Sequence, residues 1–229
     1  MIVDLHYHTC VPGPLRPREL LEYDRRNGLV YTARLRGVDA ICLTEHDKVW
    51  EKDAVRALTE EHGLLVLRGM EVSTNYAEFG HVLVYGLSRY ISGIWDIKKL
   101  AHVVEQEGGA MFVAHPFREV YSWDGKNWIS LLTVQEASEM PIFQMVQGME
   151  VYNGATQANA NEFAMEVCQH LGLLGTGGSD AHSTVGVGAC ATIFDNPIKS
   201  EEDLVRELRA GNFRPAIRKD GSFAVSVTA

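Results

Sequence analysis

The sequence predicts an α/β domain built on a largely parallel sheet. Two observations predict it. Short apolar, β-branched runs alternate with amphipathic helical stretches along the chain. Polar residues, histidines prominent among them, stand at or beside the ends of those runs. Periodicity is compatible with an open doubly wound sheet or with a barrel. Polar ends on many successive strands favour the barrel, because those strands would surround one mouth. No linker or low-complexity segment divides residues 1–229, so the chain reads as one domain.

In chain order, Met1-Ile2-Val3 opens a buried strand that runs into Asp4-Leu5-His6-Tyr7-His8. Side chains alternate faces along a strand, which puts His6 and His8 on one face with Asp4 behind them. A loop from Thr9 to Pro14 follows. Pro17 then occupies a first helical turn ahead of Arg18–Arg26, and a second helical piece covers Val30–Arg36, stopping at Gly37. Val38–Leu43 is a strand ending in Thr44-Glu45-His46-Asp47. A helix over Glu51–Glu61 leads to the strand Leu64–Leu67, which continues through Arg68-Gly69-Met70 to Glu71. Phe79–Gly86 reads as a strand with His81 at its start. The helix Ile97–Glu107 ends at Gly108-Gly109, and the strand Ala110–Ala114 ends in His115-Pro116-Phe117-Arg118.

Residues 119–147 show no clear period, and the Trp123–Trp128 loop reads as an excursion. Gly148–Asn153 returns to strand, followed by a helix over Asn159–Leu171. The short strand Leu173–Thr176 ends in Gly177-Gly178-Ser179-Asp180-Ala181-His182. A strand at Ala189–Phe194, a helix over Glu201–Ala210 and a strand or hairpin at Arg214–Val227 complete the chain.

Composition narrows the function classes. With 46% hydrophobic and 22% charged residues the chain is an ordinary globular protein. A net charge of −9 argues against an extended nucleic-acid surface, which needs a basic face. Cys10, Cys42, Cys168 and Cys190 are scattered without a CxxC, as expected of reduced thiols. No charged leader and no membrane-length apolar run is present, so the expected location is cytoplasmic, with no membrane partner. Oligomeric state leaves no mark.

The nine histidines divide into two groups. His62, His102 and His170 lie in or at the ends of helical stretches and read as solvated or helix-terminal. His6, His8, His46, His81, His115 and His182 lie at strand ends. Each alone would be a hydrogen-bonded barrel histidine, but six buried imidazoles would need six separate partners. One multinuclear metal cluster accounts for them together. Glu71 and Asp180 are its acidic complements, and Asp180-x-His182 repeats the period-two spacing. Mixed imidazole and carboxylate donors suit zinc, manganese or iron.

The residues then resemble the PHP (polymerase and histidinol phosphatase) family of metal-dependent phosphoesterases over nearly the whole chain. The motifs are Asp4-Leu5-His6-Tyr7-His8-Thr9, Thr44-Glu45-His46-Asp47 and Gly69-Met70-Glu71-Val72-Ser73. Gly80-His81-Val82-Leu83-Val84-Tyr85, Ala114-His115-Pro116-Phe117 and Gly178-Ser179-Asp180-Ala181-His182 continue them. This resemblance implies a distorted (β/α)7 barrel, related to the TIM barrel, with two or three divalent ions at its mouth. It implies that His6, His8, Glu71 and Asp180 hold one ion. Glu71, as a bridge, would hold a second with His81 and His115, and His46 and His182 would serve a third. The family's Asp or His after the first motif is absent here, where Cys10-Val11-Pro12-Gly13-Pro14 stands. The third site would then be weak, empty, or completed by water or Cys10. Glu45 replaces the commoner Asp.

The expected function is hydrolysis of a phosphate mono- or diester of a small molecule or nucleotide. Paired ions would activate a hydroxide for in-line attack on phosphorus. His46, His182 and Asp180 are the catalytic candidates, either histidine serving as proton donor to the leaving oxygen. Arg118 is either a phosphate clamp or a surface ion pair. The Trp123–Trp128 loop would be a lid or packing, and Asn153 would orient substrate or cap a turn. An amidohydrolase-type C–N hydrolase and a metal-stabilised, non-catalytic binding module are the alternatives.

Overall fold

The computed structural model describes residues 1–11, 16–76, 80–123, 125–126 and 128–225. Its first half runs β1 (Ile2–Tyr7), α1 (Pro17–Asn27), α2 (Leu29–Leu35), β2 (Ala40–Leu43), α3 (Lys52–His62), β3 (Leu65–Ser73), β4 (His81–Tyr85), α4 (Ile97–Gln106) and β5 (Ala110–Val113). There follow β6 (Tyr121–Trp123), β7 (Trp128–Ser130), α5 (Val134–Ser138) and a 3₁₀ turn (Pro141–Gln144). β8 (Gly148–Asn153), α6 (Ala158–Leu171), β9 (Leu174–Gly178), β10 (Cys190–Phe194), α7 (Glu201–Ala210), β11 (Phe213–Lys219) and β12 (Ser222–Val225) complete the fold. Among the described residues no helix is long and apolar enough to cross a membrane.

Ten strands form one sheet in the order β12-β11-β10-β1-β2-β3-β4-β5-β8-β9, with β6 and β7 paired separately. The sheet curls. The segment after β9 returns to β1, where the Asp180 amide donates to His6 O at 2.7 Å and the His8 amide to Ala181 O at 3.1 Å. The Tyr85 hydroxyl donates to Leu5 O at 3.0 Å. Because β2 and β3 separate β4 from β1 in the sheet, that bond spans the hollow of the curl.

The expectation of a largely parallel sheet needs correction. β3–β4 and β4–β5 are antiparallel, as are the β1–β10, β10–β11 and β11–β12 pairs. A parallel crossover needs about a dozen residues, and the link 74–80 between β3 and β4 is too short. β3 also runs past Leu67, because Met70 and Val72 are buried and pair with β4. The stretch without clear period holds β6–β7 and α5, whose start carries a capping box between Thr133 and Glu136. Phe79, the Pro12-Gly13-Pro14 part of the first loop, and the Trp123 and Trp128 side chains invoked as a lid lie outside the described residues.

One apolar cluster joins Val3, Leu5, Leu67, Leu83 and Phe112 to Leu204 and Leu208 of α7. A second packs α1, α2 and α3 on β1 and β2 through Leu20, Val30, Ile41, Leu43 and Leu58. His62 ends α3, as expected of a helix-terminal histidine, and pairs with the buried Asp24 of α1 at 2.7 Å. These clusters pack the helices against the strands that lead to the mouth where the polar residues gather.

Candidate metal centre

Strand direction explains how scattered residues meet. His6 is the last residue but one of β1, His46 follows β2, Glu71 lies late in β3, and His115 and Asp180 follow β5 and β9. β4 runs the opposite way to β3 and β5, so its first residue, His81, lies where their ends do. Sharp backbone turns aim the chain into this mouth. Cys10 (φ 58°), Asp47 (51°), His115 (28°) and Asp180 (51°) all adopt the left-handed region without being glycine. Such strain costs about 1–3 kcal/mol per residue and collects at functional sites.

Glu71 is the hub. Its Oε2 lies 3.2 Å from His6 Nε2, 3.1 Å from His8 Nε2 and 3.3 Å from His46 Nδ1. Its Oε1 lies 3.1 Å from both His81 Nδ1 and His115 Nε2. Asp180 Oδ1 stands 3.4 Å from the Nε2 atoms of His6 and His8 and 3.7 Å from His182 Nδ1. The imidazoles themselves crowd together, with His8 centred 4.4 Å from His182 and 4.9 Å from His46.

Charge follows this crowding. Burial alone would raise the Glu71 carboxyl, but the His6 charge and hydrogen bonds from His115, His6 and His8 hold it far below the usual range. Asp180 is likewise lowered against its burial, by His8, His6 and Arg118. Burial opposes the charged form of His8, yet Asp180, Glu45 and Glu71 push it up to about 10. His46 moves the other way, lowered by burial and by the neighbouring His8 and His81, with Glu71 opposing.

All eight residues expected as ligands converge. Their donor atoms fall into the sets His6–His8–Glu71, His6–His115–Asp180, His46–Glu71–His81 and His8–His46–His182, each with its atoms within 4.8 Å of one another. Some of these sets cut across the grouping the resemblance implies. His46 gathers with Glu71 and His81, and His115 also joins His6 and Asp180. Among the described residues Cys10 joins no set. Its Sγ lies 3.5 Å from His182 O, and burial with Glu45 and Asp180 nearby raises its thiol.

Arg118 is half-buried, and its Nη2 reaches Asp180 Oδ2 and, at 2.9 Å, Asn153 Oδ1. Its Nε donates to Thr156 Oγ1 at 3.0 Å. Asn153 caps a turn, accepting from the Ala155 amide at 2.9 Å, and also donates to Glu150 at 2.9 Å. Two buried carboxylates were given no part in the centre by the sequence reading, although Glu45 stood in its second motif. Glu45 accepts from the Thr9 amide at 2.7 Å and Trp50 Nε1 at 3.2 Å. Glu150 contacts His6 Nδ1 at 3.1 Å and accepts from the His115 amide at 3.0 Å. The available signal for Glu150 was a lone charge inside the apolar run Gly148–Asn153, since a charge in a buried strand needs a partner.

In sequence, the family model described as PHP-associated matches residues 158–213. No curated protein matches the chain. Among solved structures, PsfC from Pseudomonas syringae aligns with a TM-score of 0.63 at 23% identity, covering 96% of this chain and 92% of that one. A two-domain protein from Bacteroides vulgatus, containing a predicted PHP-like metal-dependent phosphoesterase, aligns at 0.60 and 21% identity over 95% of this chain and 64% of that one. An amidohydrolase from Chromobacterium violaceum, with sulfate bound and no metal, aligns at 0.56 and 19% identity over 95% of this chain and 98% of that one. At these identities the likeness is one of fold.

Proposed function

With membership of the PHP family, supported by the PHP-associated match and the PHP-like neighbour, as premise, we propose that this chain is a metal-dependent hydrolase of phosphate mono- or diesters. The observation that carries the reading is Glu71, a buried carboxylate ringed by five imidazole nitrogens. His6 Nε2 and His8 Nε2 face each other at 3.0 Å in this ring. Two imidazole nitrogens at that separation, once they have given up their protons, are with the two carboxylates beside them a donor set suited to a divalent cation. The curled sheet supports the family's barrel arrangement.

His6, His8, His46, Glu71, His81, His115, Asp180 and His182 are the proposed ligands of two or three ions, zinc, manganese or iron. Such ions, when bound, supply Lewis acidity and lower the pKa of water. The chain's own residues do the rest. His46 and His182, the more exposed imidazoles, stand where a proton can be passed to a leaving oxygen. Arg118 steadies Asp180 and lends positive charge to the rim, which favours an anionic ester. Nucleotides and other small phosphate esters are the substrate class. The likeness to the amidohydrolase favours a second reading, C–N hydrolysis on the same centre.

Metal analysis of the purified protein, beside assays of phosphate release and of amide hydrolysis, tests both. Bound metal with phosphate release is expected. Bound metal with amide turnover alone sinks the first reading, and metal without any turnover leaves a binding module. Glu71→Gln is expected to lose metal and activity together; unchanged metal content overturns the hub assignment.

A further inference from the structure

Glu150 touches the centre from outside every ligand set, and its contacts are directional. The side chain is 1% exposed. Its Oε1 and Oε2 lie 3.1 and 3.2 Å from His6 Nδ1. Oε2 also accepts from the His115 amide at 3.0 Å and from Asn153 Nδ2 at 2.9 Å. A carboxylate only accepts hydrogen bonds. The ring nitrogen facing it therefore carries the proton, and a neutral His6 must offer its lone pair on Nε2. That is the atom aimed at Glu71 and His8.

The same carboxylate fixes Asn153. With its Nδ2 given to Glu150 and lying 3.3 Å from Asp180 Oδ2, its Oδ1 is left to accept from Arg118 Nη2. Arg118 in turn grips Asp180. We propose that Glu150 is the positioning residue of the centre: it sets the tautomer and ring orientation of His6 and, through Asn153 and Arg118, the orientation of Asp180. The proposal rests on the metal-centre reading above and adds the element that would make its first ligand a donor through one particular nitrogen.

Glu150→Gln separates this role from mere filling of space. The amide has nearly the same shape but one acceptor oxygen. Placed at the Oε2 position, that oxygen keeps the His115 amide and Asn153 Nδ2; reversed, it would set an NH2 against two donors. The first orientation wins, and it sets an NH2 against the His6 Nδ1–H, whose one remaining acceptor, at the Oε2 position 3.2 Å away, already takes two other donors. His6 is expected to be held less firmly in that tautomer and orientation while the fold persists.

Two measurements read this on the full chain, with zinc as the probe. Long-range ¹H–¹⁵N spectra of the zinc-loaded wild type, with His6 assigned by its loss in His6→Gln, are expected to show the proton on Nδ1 and zinc on Nε2. Competitive zinc titration is expected to show Glu150→Gln about 10–100-fold weaker, the usual effect of losing an orienting partner, while the metal-free variants melt alike. A wild type that binds no zinc overturns the metal-centre reading itself. If the wild type binds zinc, equal affinity in Glu150→Gln overturns the positioning role. So does a wild-type His6 bearing its proton on Nε2, a test that stands even if the variant fails to fold.

Discussion

Gly178→Ala is the sharpest probe of how the centre is supported. Gly178 ends β9 opposite Asn153 of β8. A Cβ there would lie 2.4 Å from His6 Cβ, 2.8 Å from His6 N and 2.8 Å from Glu150 Oε1. Carbon atoms rest at about 3.5–4.0 Å, so the shortfall exceeds about 1 Å. No rotamer change relieves it, because His6 Cβ and N are fixed to the β1 backbone. Either β1 and β9 part, or His6 shifts off Glu150. Overpacking of this kind costs about 1–3 kcal/mol, and each kcal/mol lowers Tm by about 2–4 °C in a chain of this size. The His6 ring would lose its orienting contact as well, so zinc affinity is expected to fall about 10-fold or more. Calorimetry on the metal-free protein and competitive zinc titration measure the two effects. Gly186→Ala is the control, since its Cβ would meet nothing closer than Ala181 Cβ at 3.6 Å. A Gly178→Ala protein that melts and binds zinc like this control refutes the reasoning.

Three further outcomes are expected. Tyr85→Phe removes the buried bond to Leu5 O and should cost about 0.5–1.5 kcal/mol in urea unfolding; an unchanged midpoint would mean that the bond across the curl contributes nothing. Native thiol titration should find Cys10, the exposed one of the four, fastest and the other three slow, since they are buried and burial raises Cys42 and Cys190 strongly and pushes Cys168 up to about 12; rapid reaction of all four would contradict the packing. Metal binding should release protons at neutral pH, because metal-free His8 is held protonated up to about 10 and must give up that proton to act as a ligand. Its affinity should therefore climb as pH rises from 7 towards that value. A pH-indicator titration in weak buffer checks this, and metal uptake without proton release would count against His8 as a ligand.

How far each feature could be read from the sequence depends on whether its cause is local. A polar residue at the end of an apolar run is a local pattern, so His6, His8, His46, His81, His115 and His182 could be picked out, with Glu71 and Asp180, before any fold was known. Their convergence follows once the strands share one mouth. The antiparallel course of β4 was also within reach, because the short link 74–80 forbids a crossover. Strand neighbours were not. Glu150 of β8 meets His6 of β1 only because the chain beyond β9 folds back on β1, across 144 residues of sequence. The Arg118–Asp180 contact likewise joins loops after different strands. The sequence by itself determined which histidines reach the centre, with Glu71 and Asp180, through residue type and strand periodicity. Only the tertiary structure decided how they group, which nitrogen of His6 faces Glu71 and what holds it there, because hydrogen-bond direction depends on neighbours that the chain brings together only by curling its sheet.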